Sequence, residues 1–256
     1  MYKGKYFNRS RVNVCGEYMD GDIYPVFQPA GTRRKRCNPT KEIQQKLNQK
    51  NAEKKLTRLA NLNFTENDLA LHLTYRDGEH PTDIKEAERH LDNYIRRLTR
   101  KYKKAELVLK YIRATERGSK NGRIHHHLII SGGLDRDMLE KTWGRGYANS
   151  KRLQFNEKGI AGLAHYVAKD RVTFKRWSGS RNLIKPEPEV EDNKFNMGDI
   201  DTIVDLIETK NIWGYFEALY PGYELIEANY SKNDVNLKYY IHFEMRRKAH
   251  PKNRHR

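Results

Sequence analysis

The stretch "AELVLKYIRATERGSKNGRIHHHLIIS", residues 105–131, decides the fold of this chain. Two largely apolar runs flank "RGSKNG", and the pair Asn121-Gly122 is a strong signal for a tight hairpin turn. A hairpin at this point places the two runs side by side as antiparallel strands. The second run carries three consecutive histidines, which need hydrogen-bond partners or a ligand if they lie in a sheet.

Working outward from this hairpin, the residue patterns predict an α+β fold. In "NDLALHLTYRD", residues 67–77, apolar and polar residues alternate as in a half-buried strand, and a short extended piece is predicted at 147–155. The order strand, helix, hairpin, helix, strand, helix favours a central, mainly antiparallel sheet with flanking helices. Helical spacing of apolar residues predicts helices after Thr40 and at 80–104, 134–143 and 159–170.

Composition predicts three segments along the chain. Residues 1–62 are expected to form a basic N-terminal arm, irregular up to residue 39, followed by a helix with Ile43, Leu47, Leu56 and Leu59 on its apolar side. Residues 63–185 are expected to form the domain with the histidines. Prolines and acidic residues in "KPEPEVEDN" mark a linker, so 186–256 is predicted as a small α/β extension with a β-hairpin from 223–230 and 235–245.

The charge of the chain points to a polyanionic partner. Fifty Lys and Arg against thirty-three Asp and Glu give a net charge of +17 and a pI near 9.7, which favours nucleic acid. No apolar stretch is typical of a signal peptide or a membrane span, so a cytoplasmic protein without membrane association is expected. The two cysteines argue against a disulfide scaffold or a zinc finger, and no P-loop motif indicates an NTP-driven motor.

The histidine run predicts a metal site. Side chains alternate along a strand, so His125 and His127 share one face, while Ile124, His126 and Leu128 point to the other. Glu116 precedes the turn, and the hairpin returns the histidines beside it. Two imidazoles and a carboxylate suit Mg²⁺ or Mn²⁺ acting on a phosphate, although the same three residues also suit a hydrolytic Zn²⁺. The alternative is a histidine pair with a purely structural role.

The predicted helix "GIAGLAHYVAKD", residues 159–170, carries a second candidate group. Its apolar residues leave Tyr166 and Lys169, three positions apart, on an adjoining face. Tyrosine hydroxyls act as nucleophiles in some enzymes. The alternative interpretation is a tyrosine at the edge of the core beside a solvent-exposed lysine.

Three motifs together resemble the HUH endonuclease superfamily. They are "LALHLTY" (69–75), "HHH" (125–127) and "YVAK" (166–169), and they follow one another in the order found in rolling-circle replication initiators, the Rep proteins of small phages, plasmids and circular single-stranded DNA viruses. "RWSGSRNLIKPE" (176–187) and the tail at 219–247 are similar to replication proteins related to filamentous-phage gene II. The resemblance covers roughly residues 64 to 247.

This resemblance implies a fold, an activity and a set of residues. The fold would be ferredoxin- or RRM-like, with the histidines on a sheet and the tyrosine on a facing helix. His125 and His127 would bind Mg²⁺ or Mn²⁺ with Glu116 as third ligand, Tyr166 would be the nucleophile and Lys169 its helper. The activity would be nicking and rejoining of single-stranded DNA, or of an origin hairpin, through a 5′-phosphotyrosine. A host helicase and a DNA polymerase would be partners.

Two departures from the family pattern are visible. The central position of the histidine motif is normally hydrophobic and is His126 here, but only His125 and His127 share a face. The helix at 159–170 has one tyrosine, whereas filamentous-phage relatives have two.

Several residues near the motifs are predicted to contact DNA, and other functions stay open. A relaxase or a transposase would use the same chemistry, and a noncatalytic basic nucleic-acid-binding protein would use none of it. A hydrolytic zinc enzyme would leave the basic surface unexplained. The predicted DNA contacts are the cations Lys120, Arg123, Arg171, Lys175, Arg176 and Arg181, with Trp177 as a stacking platform.

Overall fold

The computed structural model describes residues 4–29, 41–118, 122–156, 158–160, 177–234 and 236–248. Within these ranges the chain forms two antiparallel five-stranded sheets and five helices, which confirms the predicted α+β class. The chain divides into two compact units. The central unit comprises Lys41–Asn156 and Ile160–Lys185, and the terminal unit comprises Met1–Thr40, Glu157–Gly159 and Pro186–Arg256.

The sheet of the central unit contains the predicted hairpin. Its strands are β3 (Leu69–Leu73), β4 (Tyr111–Arg117), β5 (Ile124–Ile130), β6 (Ala148–Arg152) and β7 (Ser178–Gly179). Their order is β6-β3-β5-β4-β7, and every neighbouring pair is antiparallel. At the turn between β4 and β5, Gly122 has a φ of 65°, a left-handed conformation that glycine adopts without a steric penalty.

Helices cover both faces of this sheet. On one face, α2 (Ile84–Lys104) and α3 (Arg136–Trp143) enclose a core that includes Leu71 and Leu128 of the sheet. On the other face, α1 (Lys41–Asn63) packs through Leu56 and its neighbours against Ile112 and Ile129. None of the described helices combines the length and apolar character that crossing a bilayer requires.

The ends of α1 and α2 differ in how well the sequence predicts them. The N-cap of α2 is Asp83, whose side chain accepts a hydrogen bond from the backbone N–H of Glu86. In α1, Leu56 and Leu59 are buried as expected, but Leu47 is exposed, so its apolar spacing predicts the packing of the second half only. The predicted cap Thr40 lies outside the described residues, as does the predicted helix at 159–170 beyond residue 160.

The terminal unit forms the second sheet. Its strands are β1 (Gly4–Cys15), β2 (Tyr18–Pro29), β8 (Glu189–Asp192), β9 (Tyr223–Lys232) and β10 (Tyr239–Arg247), in the order β8-β1-β2-β10-β9. The predicted C-terminal hairpin is the antiparallel pair of β9 and β10. Two helices, α4 (Met197–Glu208) and α5 (Trp213–Leu219), contribute Ile203 and Phe216 to a core on one face of the sheet.

The prediction that the N-terminal residues are irregular is wrong for residues 4–29. These residues form β1 and β2, twelve residues each, paired over their full length. Neither strand has a clean apolar face, because polar side chains such as Ser10 and Asn13 are buried in it. Their order depends on pairing with β10, which lies far away in the sequence. The division into 1–62, 63–185 and 186–256 stays a prediction.

A glycine in β2 provides a test of the packing in the terminal unit. A Cβ atom at Gly21 would lie 2.1 Å from the ring of Phe243, which is fully buried and stacks on Phe216 with ring centroids 4.4 Å apart. We expect Gly21→Ala to lower the free energy of unfolding by ~1–3 kcal/mol, since the ring has no room to move. Urea denaturation measures the change.

The matched control is Gly214→Ala in α5, where an added Cβ meets nothing within 4 Å. Alanine is the better helix former, so this change should raise stability by ~0.5–1 kcal/mol. Wild-type stability in Gly21→Ala would contradict the packing described.

Candidate metal centre

The register of β5 between its two neighbours brings polar side chains together. On one side Glu116 of β4 pairs with His125, and on the other side His72 of β3 pairs with His127. Directly paired residues of antiparallel strands project to the same face of a sheet. The four side chains therefore lie on one face of the central sheet.

The neighbours of His125 and His127 on β5 point the other way. Ile124 and Leu128 belong to the core beneath α2 and α3, and His126 is fully buried against Trp143 of that core. The structure thus places His125 and His127 on the face opposite to His126, as alternation along a strand requires.

Three imidazoles converge at this point. The nearest ligand atoms of His72, His125 and His127 all lie within 4.8 Å of one another. The rings of His72 and His127 are stacked with centroids 4.7 Å apart, and the ring of His125 stands nearly perpendicular to that of His127 at 4.9 Å. Among the described residues, no other group of three or more His, Cys, Asp or Glu meets this distance limit.

Glu116 completes the cluster. Its Oε2 atom lies 3.5 Å from Nε2 of His125 and 3.6 Å from Nε2 of His127. The side chain is buried, and its Oε1 atom has no hydrogen-bond partner within the described ranges. Because a buried carboxylate oxygen without a donor is costly, a cation held here would satisfy it. Three imidazole nitrogens and a carboxylate are a donor set that divalent transition metals accept.

The electrostatics of the cluster favour metal binding at neutral pH. Burial and the neighbouring imidazoles lower the pKa of His127 to about 3, and partial burial together with His125 lowers the pKa of His72. Both rings are therefore neutral, which is the form that binds a metal. A hydrogen bond to Glu116 raises the pKa of His125, so a proton competes with the metal at this ring.

His126 takes part in a hydrogen-bond network inside the core. Tyr75 and Thr115 lie on either side of the ring, with Tyr75 Oη 2.8 Å from Nε2 and Thr115 Oγ1 2.9 Å from Nδ1. The hydroxyl of Thr115 donates its proton to Glu88. Nδ1 of His126 must therefore donate to Thr115, and Nε2 accepts from Tyr75, which assigns the tautomer. Burial lowers the pKa of His126 to about 3, so the ring is neutral.

This network explains how a histidine occupies a position that is hydrophobic in the proteins the chain resembles. Both ring nitrogens are paired, and the neutral ring packs against the rings of Tyr75 and Trp143 at centroid distances of 5.7 and 5.6 Å. His126 thus serves as a core residue rather than a ligand. Its two bonds also hold β5 in the rotation that turns His125 and His127 to the other face.

The structure places three of the predicted DNA contacts. Arg123 is half exposed, with Nη2 3.1 Å from Asp77 Oδ1, and Arg181 is exposed in a turn. Trp177 is partly buried; its Nε1 donates to the carbonyl of Ala52 at 3.2 Å, and it packs against the α1 core. Several predicted residues lie outside the described ranges, namely Lys120, Tyr166, Lys169, Arg171, Lys175 and Arg176.

His72 is a candidate ligand that the sequence patterns did not identify. It lies in the motif "LALHLTY", and alternation puts it on the face opposite to Leu71 and Leu73. That face becomes the histidine face only because β3 pairs with β5 in one particular register. The local pattern does not encode this register, so only the polarity of His72 among leucines was available as a signal.

Comparisons with known proteins support a replication-associated family for this part of the chain. Residues 68–171 match the family model of the replication-associated protein ORF2, or gene 2 protein. The match covers less than half of the chain and includes His72, Glu116, His125, His127 and Tyr166. No curated protein and no solved structure matches the chain. A role in DNA replication is supported, while the resemblance of residues beyond 171 stays a prediction.

Metal titration tests the role of His72. We expect His72→Ala to weaken Mn²⁺ binding by ~10–100-fold, since loss of a ligand costs at least as much as loss of its supporting partner. Isothermal titration calorimetry on the full chain gives the affinity. His80→Ala, a change in the same unit outside the cluster, should retain wild-type affinity. Equal affinities of His72→Ala and wild type would remove His72 from the site.

Unfolding experiments test the network around His126. We expect Tyr75→Phe to destabilise the protein by ~1–3 kcal/mol, because Nε2 of His126 loses its donor inside the core. Tyr147→Phe, at a tyrosine that is 82% exposed, should be neutral. Adding His126→Leu to Tyr75→Phe should recover part of the loss, as both partners are then apolar. Purely additive losses in the double variant would show that the two side chains are not coupled.

Proposed function

We propose that this protein initiates rolling-circle replication by nicking one DNA strand at an origin and later rejoining it. The observation that carries the proposal is the convergence of His72, Glu116, His125 and His127 on one sheet face, within residues that match a replication-associated family. The net charge of +17 suits a DNA substrate.

The donor set fits a divalent metal, Mg²⁺ or Mn²⁺. His125, His127 and Glu116 would hold it, and His72 offers a further nitrogen. When bound, the ion would act as a Lewis acid toward a nonbridging oxygen of the scissile phosphate. The protein prepares this position by keeping His72 and His127 neutral and by leaving Oε1 of Glu116 without a hydrogen-bond donor within the described ranges.

Tyr166 is the proposed nucleophile, on the basis of the "YVAK" motif inside the matched residues. Its phenolic oxygen loses a proton and forms a bond to phosphorus, while the bond between phosphorus and the 3′-oxygen breaks. The 3′-oxygen takes up a proton and leaves as a free hydroxyl. The product is a 5′-phosphotyrosine. Lys169 would neutralise negative charge near the phosphate.

This chemistry serves replication because the phosphodiester energy is retained. The free 3′-hydroxyl is a primer for a DNA polymerase, and a host helicase would open the duplex ahead of it. A later 3′-hydroxyl attacks the phosphotyrosine, restores a phosphodiester bond and frees Tyr166. The reaction needs no nucleotide cofactor and takes place in the cytoplasm of the host.

A noncatalytic DNA-binding protein accounts less well for the site. Binding to a phosphate backbone needs cations rather than neutral imidazoles. The histidine face instead combines two rings of lowered pKa with a buried carboxylate. That combination is costly for the fold unless it serves a ligand.

A covalent-adduct assay tests the proposed function. A labelled single-stranded origin oligonucleotide is incubated with the protein and Mn²⁺, then denatured, and the adduct is resolved on a gel. We expect adduct with wild type and none with Tyr166→Phe, which lacks the attacking oxygen. The control Tyr147→Phe should give the wild-type yield. An undiminished adduct in Tyr166→Phe would exclude Tyr166 as nucleophile, and no adduct with any origin strand would overturn the proposal.

A further inference from the structure

The C-terminal half of α2 carries a strongly charged surface outside the histidine site. Between Arg96 and Lys104 the helix has six cationic side chains and no acidic one. Five of them are exposed, and Lys101 is partly exposed. We call this surface the α2 basic ridge; it consists of Arg96, Arg97, Arg100, Lys101, Lys103 and Lys104.

The ridge differs from the first half of the same helix, where charges are paired. There Glu86 pairs with Arg89, and Asp92 lies 2.5 Å from Arg113 of β4. Within the described ranges, no residue of the ridge forms an ion pair, although Arg97 donates to the carbonyls of Thr142 and Trp143. Like charges three and four positions apart each cost a helix ~0.2–0.5 kcal/mol. The ridge is therefore unfavourable for the helix by itself.

The helix dipole accounts for part of this charge only. Cations are favourable in the last turn of a helix, and the last turn of α2 contains Lys101, Lys103 and Lys104. Arg96 and Arg100 lie before that turn, where the favourable effect has faded. These two arginines need another reason, and arginine is the side chain best suited to binding phosphate.

The geometry of the ridge is that of a rigid row. Leu91, Leu98 and Tyr102 are buried against the sheet and hold the helix in place. At about 100° per residue, Arg96, Arg100 and Lys103 face directly away from this buried side, with Cα positions about 6 Å and 5 Å apart along the axis. Arg97 and Lys101 face a groove beside α3 that also contains Asp135 and Asp137, so the outward row is the cleaner cationic surface.

We propose that the α2 basic ridge binds the phosphate backbone of duplex DNA. Proteins that bind single strands combine cations with exposed aromatic rings on which bases stack. The aromatic residues of α2, Tyr94 and Tyr102, are buried, and their hydroxyls donate to carbonyls of the core. A ridge of cations without a stacking platform recognises a regular backbone, and the spacing of its outward row suits successive phosphates.

The position of the ridge gives this surface a separate role from the metal centre. The helix packs on the sheet face that contains His126, whereas His72, His125 and His127 lie on the opposite face. The duplex flank of an origin would thus be held on one face while a single strand is cut on the other. The inference rests on the proposed function for the identity of the nucleic acid as DNA.

Salt-dependent binding tests the ridge. A labelled duplex about two helical turns long (~20 base pairs) and its single strand are titrated by fluorescence anisotropy at several salt concentrations, with chelator present so that no cleavage occurs. We expect the triple variant Arg96→Gln, Arg100→Gln, Lys103→Gln to bind duplex with a slope of log K against log salt that is about 3 less steep than wild type, since each lost phosphate contact removes ~0.9. Binding of the single strand should change little.

A matched triple variant separates the ridge from net charge. Lys5→Gln, Arg11→Gln and Lys210→Gln remove the same charge from exposed positions of the terminal unit and should keep the wild-type slope. The conservative variant Arg96→Lys, Arg100→Lys should also keep it. An unchanged slope in the ridge variant, an equal change in the control, or an equal loss for single strand and duplex would each overturn the proposal. None of these results depends on the adduct assay, so failure of the nicking chemistry is recognised separately.

Discussion

The pairing of β5 with β3 on one side and β4 on the other is the constraint on which the site depends. It sets Glu116 beside His125 and His72 beside His127, so four side chains from three strands meet without any loop being involved. A slip of one residue would turn His126 outward and bury its two neighbours, because side chains alternate along a strand. The apolar residues of the sheet prevent that slip, since Ile124 and Leu128 belong in the core beneath α2.

Three consecutive histidines acquire different properties from this arrangement. The ring of His126 is enclosed and neutral, and both of its nitrogens bond to side chains of the core. Burial likewise keeps His127 neutral, but on the face where a cation can be bound. Glu116 raises the pKa of His125 and connects the pair to a carboxylate. The environment of each ring, rather than its residue type, decides whether it supports the fold or binds a ligand.

The positive charge of the chain is also divided by environment. Some arginines are paired within their unit, as Arg113 is with Asp92 and Arg9 with Asp192, and these contribute to the arrangement of the strands. The cations at the end of α2 have no acidic partner within the described ranges, and they lie on a helix that the core holds in place. Unpaired charge on a rigid element is suited to a partner that brings the opposite charge. A net charge of +17 therefore indicates the class of partner, and the distribution of ion pairs indicates where it binds.

The sequence by itself determined the features that depend on near neighbours. The α+β class, the β4–β5 hairpin, helix α2 and the common face of His125 and His127 all follow from alternation, helical spacing and turn residues, because these are local properties of the chain. Proximity of Glu116 to His125 followed from the hairpin, whose two strands are joined by a short turn. Tertiary structure decided the rest. His72 reaches the site, and the N-terminal residues become β1 and β2, only through pairing with strands far away in the sequence. Such registers are selected by packing of the whole sheet against its helices, and no local pattern of residues carries that information.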